Sequence, residues 1–277
     1  MTTTMKKFLI LSILTAFALA GCKEKEPAVY TLLGDYTPYG SYMETLKGRV
    51  ASVVETNFWA VPEGETYAKG NKMTRKELDS LNYTGDFEAI FDDAGDLVSC
   101  TGMDENKKAI WKWELIKENN ILAEAYYTYL DTARGHQELE CNTEGDIIKI
   151  SQFPADADTL FNWASVTSTP GGDTVITQWH NYKGEPARRK LNLYNELDLF
   201  TGYQAYDKDG NYLNGSQLKY NDRGVSSEIT FFNKDKEPAS VNHFTYEYDK
   251  MGNWIKIVCK DDKGFVIIGE RVYTYFE

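Results

Sequence analysis

From about residue 85 to its end the chain turns every 12 to 14 residues. Each turn is marked by an aromatic or other apolar residue followed at once by Asp or Asn, then a few turn formers and a new β-type run. Phe91-Asp92-Asp93-Ala94-Gly95, Tyr206-Asp207-Lys208-Asp209-Gly210, Tyr220-Asn221-Asp222-Arg223-Gly224 and Tyr248-Asp249-Lys250-Met251-Gly252 carry the full pattern. Met103-Asp104, Cys141-Asn142, Tyr194-Asn195 and Phe232-Asn233 carry part of it, and Phe153-Pro154 and Cys259-Lys260 are worn copies. Weaker turns fill the two long gaps, at 117–120 and 131–135 in the first, and at 170–172 and 181–184 in the second. Asp or Asn with a following Gly supplies the positive φ angles that tight hairpins need. The chain therefore reads as a meander of antiparallel hairpins.

Between turns the residues alternate as strands do. Phe244, Tyr246 and Tyr248 point one way and His243, Thr245 and Glu247 the other. The same alternation sets Trp254, Lys256 and Val258 against Ile255, Ile257 and Cys259. Ahead of the repeats, Leu46 to Ala60 reads as one long strand. Thr74-Arg75-Lys76-Glu77 is a capping-box pattern before Leu78 and Leu81, which predicts one short helix over 75–81. About 16 strands at roughly 4.8 Å each make a sheet too wide to stay flat. The expected fold is all-β, one domain over 46–277 built as a long curled antiparallel sheet, with a closed barrel as the alternative.

The pattern Tyr-x-Tyr-Asp-x-x-Gly-Asn-Trp stands intact at 246–254, and worn copies cover roughly two thirds of the chain. In this it resembles the tyrosine-aspartate (YD, Rhs-type) repeats of bacterial secreted and envelope proteins. The resemblance implies a sheet serving as shell, scaffold or binding surface, and it brings no catalytic residues. Asp198 stands where the pattern has Gly, and the copy at Cys141 lacks the Tyr.

The N-terminus carries a second signature. Lys6 and Lys7 precede the apolar run Phe8 to Leu19, which at about 1.5 Å per residue is roughly 18 Å of helix, short of a hydrocarbon core of about 30 Å. Residues 1–21 read as a signal peptide. Leu19-Ala20-Gly21-Cys22 resembles the bacterial lipoprotein lipobox in all four positions. That resemblance implies cleavage before Cys22, a thioether-linked diacylglyceryl group on its thiol and a fatty acyl group such as palmitate on its new amino group. Several acyl chains, at about 0.8 kcal/mol per buried methylene, anchor firmly. Residues 22–45 then form a tether and linker, opening with the charged Lys23-Glu24-Lys25-Glu26-Pro27 and continuing through Tyr30, Tyr36, Tyr39 and Tyr42. Lys23 after the lipid site suggests the outer membrane, on its periplasmic face or at the cell surface.

Charge narrows the partners. With 30 Lys+Arg against 42 Asp+Glu the net charge is −12, which argues against a nucleic-acid ligand. Removing 1–21 takes away two lysines, so the acidic body does not favour anionic lipid and the acyl chains do the anchoring. Cys100, Cys141 and Cys259 remain, an odd number with no C-x-x-C spacing; buried free thiols are expected.

The chain contains no G-x-S-x-G, no H-E-x-x-H and no Gly-rich phosphate loop. His136, His180 and His243 lack ligand spacing, and Asp207-Lys208-Asp209-Gly210-Asn211 departs from a calcium loop at its glycines, so it reads as a hairpin turn. No cofactor or metal is expected. Two functions of different class remain. One is a non-enzymatic envelope lipoprotein whose repeat sheet is an interaction scaffold for an envelope protein. The other is a glycan-binding lipoprotein whose exposed aromatics stack on sugar rings, with Trp179, Trp254, Tyr182 and Tyr212 as candidates because they sit at or near turns. An envelope hydrolase is a third class that no motif supports. Exposure separates the first two: an open row of rings flanked by amides favours sugar, a mixed aliphatic patch favours protein.

Overall fold

Among the described residues, nine turns share one construction in full. In each, Oδ1 of an Asp or Asn accepts the backbone amides two and four residues ahead: Asp92, Asp104, Asn181, Asn195, Asp207, Asn221, Asn233, Asp249 and Asp261 all do so at 2.7–3.1 Å. The same residue's amide bonds the carbonyl four ahead, as in Asp249 N to Asn253 O at 2.8 Å. The fourth turn position needs positive φ. Gly252 supplies it at 92°, while Lys107 and Lys236 take 64° and 63° in its place. Asp261, two residues past the expected anchor at Cys259, holds the last of these turns.

The computed structural model describes residues 46–81, 85–118, 121–143, 146–155, 159–197 and 199–277. Cys22, the signal peptide and the tether lie outside them. The strands are β1 Val50–Glu63, β2 Thr66–Lys72, β3 Asp86–Phe91, β4 Leu97–Met103, β5 Ala109–Glu118, β6 Ile121–Tyr129, β7 Thr132–Cys141, β8 Ile147–Pro154 and β9 Asn162–Ser168. They continue as β10 Thr174–Asn181, β11 Pro186–Tyr194, β12 Phe200–Asp207, β13 Tyr212–Tyr220, β14 Ser226–Phe232, β15 Pro238–Tyr248, β16 Trp254–Asp261 and β17 Val266–Tyr275. The helix α1, Arg75–Ser80, has the expected capping box between Thr74 and Glu77.

Each strand from β3 to β17 pairs antiparallel with its sequence neighbour. β1 joins the two ends, pairing β17 along one edge (Val53↔Tyr273) and β3 along the other (Val53↔Ala89). The result is a closed antiparallel barrel of 16 strands, the alternative rather than the open curled sheet. Closure removes both free edges of the meander, the liability that an open sheet of this width carries. β2 is the extra strand. It pairs the far end of β1 (Val61↔Ala68) beyond β3.

Burial assigns the faces. Val53, Ala89, Cys100, Trp111, Ala125, Leu139, Ile150, Ala164 and Trp179 are buried, and register places them on one face, the inner one. The outer face alternates with charge: Lys256 pairs Glu247, Lys219 pairs Glu228 and Lys69 pairs Glu270, each at 2.7 Å, and Lys149 pairs Glu140.

The core is lopsided. One cluster joins Val50, Val53, Phe87, Ala89, Phe91, Leu97, Cys100 and Trp111; a second joins Leu139, Ile147, Ile150, Ala164, Val166 and Trp179. In a third, Met73 and Leu78 of the β2–α1 segment pack on inward Cys259 and Ile267, so α1 lies against the inner wall. Gly102 is required by its neighbour: a Cβ there would lie 1.9 Å from the Trp111 ring. The three cysteines are free, with Cys100 and Cys259 buried and Cys141 half-buried. Burial pushes the Cys259 thiol up to about 12 and raises Cys100 as well, leaving both as apolar fillers.

Candidate functional site

The turns form two rims, one carrying Asp249 and the other Asp207. A cavity of about 350 Å³ opens on the Asp207 side, lined by Trp113 of β5, Tyr127 of β6, Gly135, His136 and Gln137 of β7, Gln152, Phe153 and Pro154 of β8, and Phe161. Its volume lies at the lower end of small-molecule sites. None of the nine lining residues is Asp, Glu, Lys or Arg, in a chain that is 26% charged.

Register gathers these residues. Trp113 faces Tyr127 across β5–β6 and Gln137 faces Gln152 across β7–β8. The Trp113 and Tyr127 rings lie 4.8 Å apart at 33°. Gly135 leaves room where a Cβ would meet the Phe153 carbonyl at 2.4 Å. Phe161 stands largely exposed. Gln137 is only 3% exposed, and its Oε1 has no hydrogen-bond partner among the described residues. A buried acceptor left unmade costs about 1–3 kcal/mol, so it is either a strain or a place for a donor. The cavity is thus lined by two rings and two amides, and the Oε1 of one of these amides is buried without a partner among the described residues.

The candidates chosen from sequence are elsewhere. Trp179 and Trp254 are each 3% exposed on the inner wall, which corrects the expectation that they present open ring faces. Arg188 covers Trp179 at 5.4 Å and the Arg271 guanidinium lies 3.6 Å from the Trp254 centroid. Tyr182 is 63% exposed in the turn after β10, with Lys183 over its ring. Tyr212 packs edge-on against Tyr206 at 5.7 Å with Lys236 above it, and burial raises its hydroxyl pKa. The structure brings none of the four together. The cavity residues were missed because only register unites them, although Gln137 is a polar residue at an inward position between Gly135 and Leu139.

On the outer wall, Tyr126, His136 and Phe153 stack in register across β6, β7 and β8 at 5.5 and 4.8 Å. Trp163 stacks on His180 at 4.1 Å across β9 and β10. Among the described residues no three His, Cys, Asp or Glu side chains gather as a metal site. Asp207, at the start of the calcium-like segment, spends Oδ1 on the amides of Asp209 and Asn211 and Oδ2 on the Asn211 side chain. These bonds, that from the Asn211 side chain foremost, hold its carboxyl below the usual range.

A second polar cluster holds the closure seam. Glu55 of β1 meets Arg271 of β17 at 2.9 Å, both side chains buried. Burial raises the Glu55 pKa, outweighing the attraction of Arg271. Beside it, Asp86 accepts the Asn57 backbone amide at 2.8 Å and pairs Lys72 at 2.8 Å, at the point where the neighbour of β1 changes from β3 to β2.

No protein-family model matches the sequence, and no curated protein matches it. Among solved structures the chain is similar to a porin-like protein from Bacteroides uniformis ATCC 8492, with 7% identity over 83% of this chain and 98% of that one at a TM-score of 0.38. It is also similar to a porin-like protein from Bacteroides vulgatus ATCC 8482, with 8% identity over 81% and 98% at a TM-score of 0.40. At such identities and TM-scores below 0.5, neither residues nor function transfer to this chain.

Proposed function

We propose that this chain is a lipid-anchored cell-envelope protein that binds carbohydrate in the cavity at the Asp207 rim and does not transform it. The observation that carries the reading is the buried, unpartnered Gln137 Oε1 beside Gln152 and the Trp113–Tyr127 ring pair. A sugar offers what this arrangement lacks: hydroxyl donors for the acceptor and C–H faces for the rings. The Leu-Ala-Gly-Cys sequence ending at Cys22 supports the anchor, and with it an outer-membrane location. The worn tyrosine-aspartate repeats support a sheet built to display a surface.

Calorimetric titration of the purified chain with neutral oligosaccharides tests the cavity. Trp113→Ala and Gln137→Leu should each weaken binding about tenfold, or about 1.4 kcal/mol. Unchanged affinity in both, with the fold intact by circular dichroism, would refute the site. Labelling with a radioactive fatty acid tests the anchor, since Cys22→Ser should take up no label.

A second reading is a scaffold for another envelope protein. The stacked outer rings Tyr126, His136 and Phe153 favour it, because they form a continuous stripe of rings across three strands of the outer wall. Co-purification from envelope that is lost in a Tyr126→Ser variant, but kept in Gln137→Leu, would choose it over the first.

A further inference from the structure

The inner wall is not apolar throughout. β11 to β15 contribute only Leu218 and Ile229 to the buried apolar residues. Opposite buried Trp179 and Thr177, β11 places Arg188 and Lys190, and opposite Val175 it places Asn192. Tyr203 of β12 and Ser216 of β13 continue the same face, with Asn214 two residues from Ser216. Arg188 is exposed although it points inward, so this part of the wall borders water.

Two cations here are held by rings. The Arg188 guanidinium lies 5.4 Å from the Trp179 centroid and the Lys190 ammonium 4.8 Å from that of Tyr203. Residues i and i+2 of a strand lie roughly 6.6 Å apart on one face, so both side chains leave the same face of β11, Arg188 towards β10 and Lys190 towards β12. Arg188 has no carboxylate partner among the described residues, and its cross-strand neighbour Asp207 has both oxygens engaged within its own turn. A guanidinium fixed by its face keeps its N–H edge for a planar or tetrahedral oxyanion. In a chain of net charge −12, a stretch of wall pairing inward cations with amides and a hydroxyl is the opposite of the protein's average surface.

We infer that the inner wall of β11–β13 is an anion-recognising subsite for acidic polysaccharide, with Arg188 taking a carboxylate or sulfate and Asn192, Asn214 and Ser216 taking ring hydroxyls. The ligand class rests on the carbohydrate reading above; the subsite rests on different residues from the cavity.

The test is titration of the full chain with three probes of matched length, a neutral maltohexaose, an oligogalacturonate and a sulfated maltohexaose, at 50 and 300 mM NaCl. An acidic probe should bind at least tenfold tighter than the neutral one at low salt. That advantage should shrink at high salt, vanish in Arg188→Ala and survive in part in Arg188→Lys, with melting unchanged in both. Preference for oligogalacturonate assigns a carboxylate, and preference for the sulfated probe a sulfate. Acidic probes that bind Arg188→Ala as tightly as the unmodified chain overturn the subsite. So does neutral binding that depends on Gln137 without any acidic preference, and this outcome spares the cavity. Absence of binding by all three probes overturns the subsite and the carbohydrate reading together.

Discussion

The Tyr275 hydroxyl donates to Oδ2 of Asp249 across 2.6 Å, fastening the end of β17 to the preceding turn on the same rim. The Asn221 side chain makes the matching contact one repeat earlier, donating to the Tyr248 hydroxyl at 3.2 Å. Two positions before these tyrosines, Tyr246 and Tyr273 donate to the carbonyls of Ser226 and Trp254, each five residues past the Asp or Asn of the preceding turn. A Tyr-x-Tyr-Asp repeat therefore has a mechanical reading. One tyrosine grips the start of the neighbouring strand, the other grips its turn, and the acid builds the next turn.

Asp249 carries three of these bonds at once. Burial pushes its carboxyl up, but hydrogen bonds from Tyr275 and the amides of Asn253 and Met251 outweigh this and hold it below the usual range. A depressed carboxylate gives stability that is present above the unfolded pKa and lost as pH falls through the folded value. Asp249→Ala should cost about 1–3 kcal/mol. Asp249→Asn should cost less, because Asn at 221 builds the same turn with its Oδ1. Thermal melts at pH 7 and pH 3 check this: the deficit of Asp249→Ala should narrow in acid, and an equal deficit at both would contradict it.

Glu55 has the opposite sign. Its pKa is raised by burial despite Arg271, so its contribution is full below the unfolded value near 4.5 and is lost as pH rises through the folded one. Glu55→Gln should therefore gain on the unmodified chain as pH rises from about 4.5. Removing the other partner is different: Arg271→Ala leaves a buried carboxylate alone and should cost about 3–5 kcal/mol. Urea denaturation across pH 4 to 8 measures both, and a pH-independent difference for Glu55→Gln would remove the argument.

Gly102 and Trp111 pack as a pair. Gly102→Ala forces the ring away and should cost about 1–3 kcal/mol. Trp111→Leu in the same chain should recover part of that loss, since the space is then free. Additive effects in the double variant would show that the two sites do not share the contact.

The hairpins and helix were legible because their signals are local: Asp or Asn with Gly for turns, Thr74 with Glu77 for the cap. Closure was not, since Val50 meets Tyr275 across almost the whole chain and no local pattern shows it. Facing residues near turns were misread for a definite reason. The register shifts just before most Asx turns, for example between Glu247 and Tyr248, so Trp254 pairs Tyr248. It lies inward beside Tyr246, 5.9 Å between centroids, on the side of Ile257 and Cys259 rather than with Lys256. Strict alternation cannot see a bulge. The cavity stayed hidden because β5, β6, β7 and β8 each give it only a few residues.

Deleting Phe244 to Glu277 tests closure itself. The cut removes β16, β17 and the last five residues of β15, which leaves the rest of β15 without β16 and the Val50–Trp59 stretch of β1 without β17. It also takes Phe244, Cys259 and Ile267 from the cluster that buries Met73 and Leu78. An opened barrel presents two rows of unpaired amides and carbonyls, which pair with other chains. The truncated chain should elute as aggregate in size-exclusion chromatography and lose its cooperative melt. A monomer that melts as the full chain does would mean that β1 and β17 contribute nothing by meeting, and the ring would have to be abandoned.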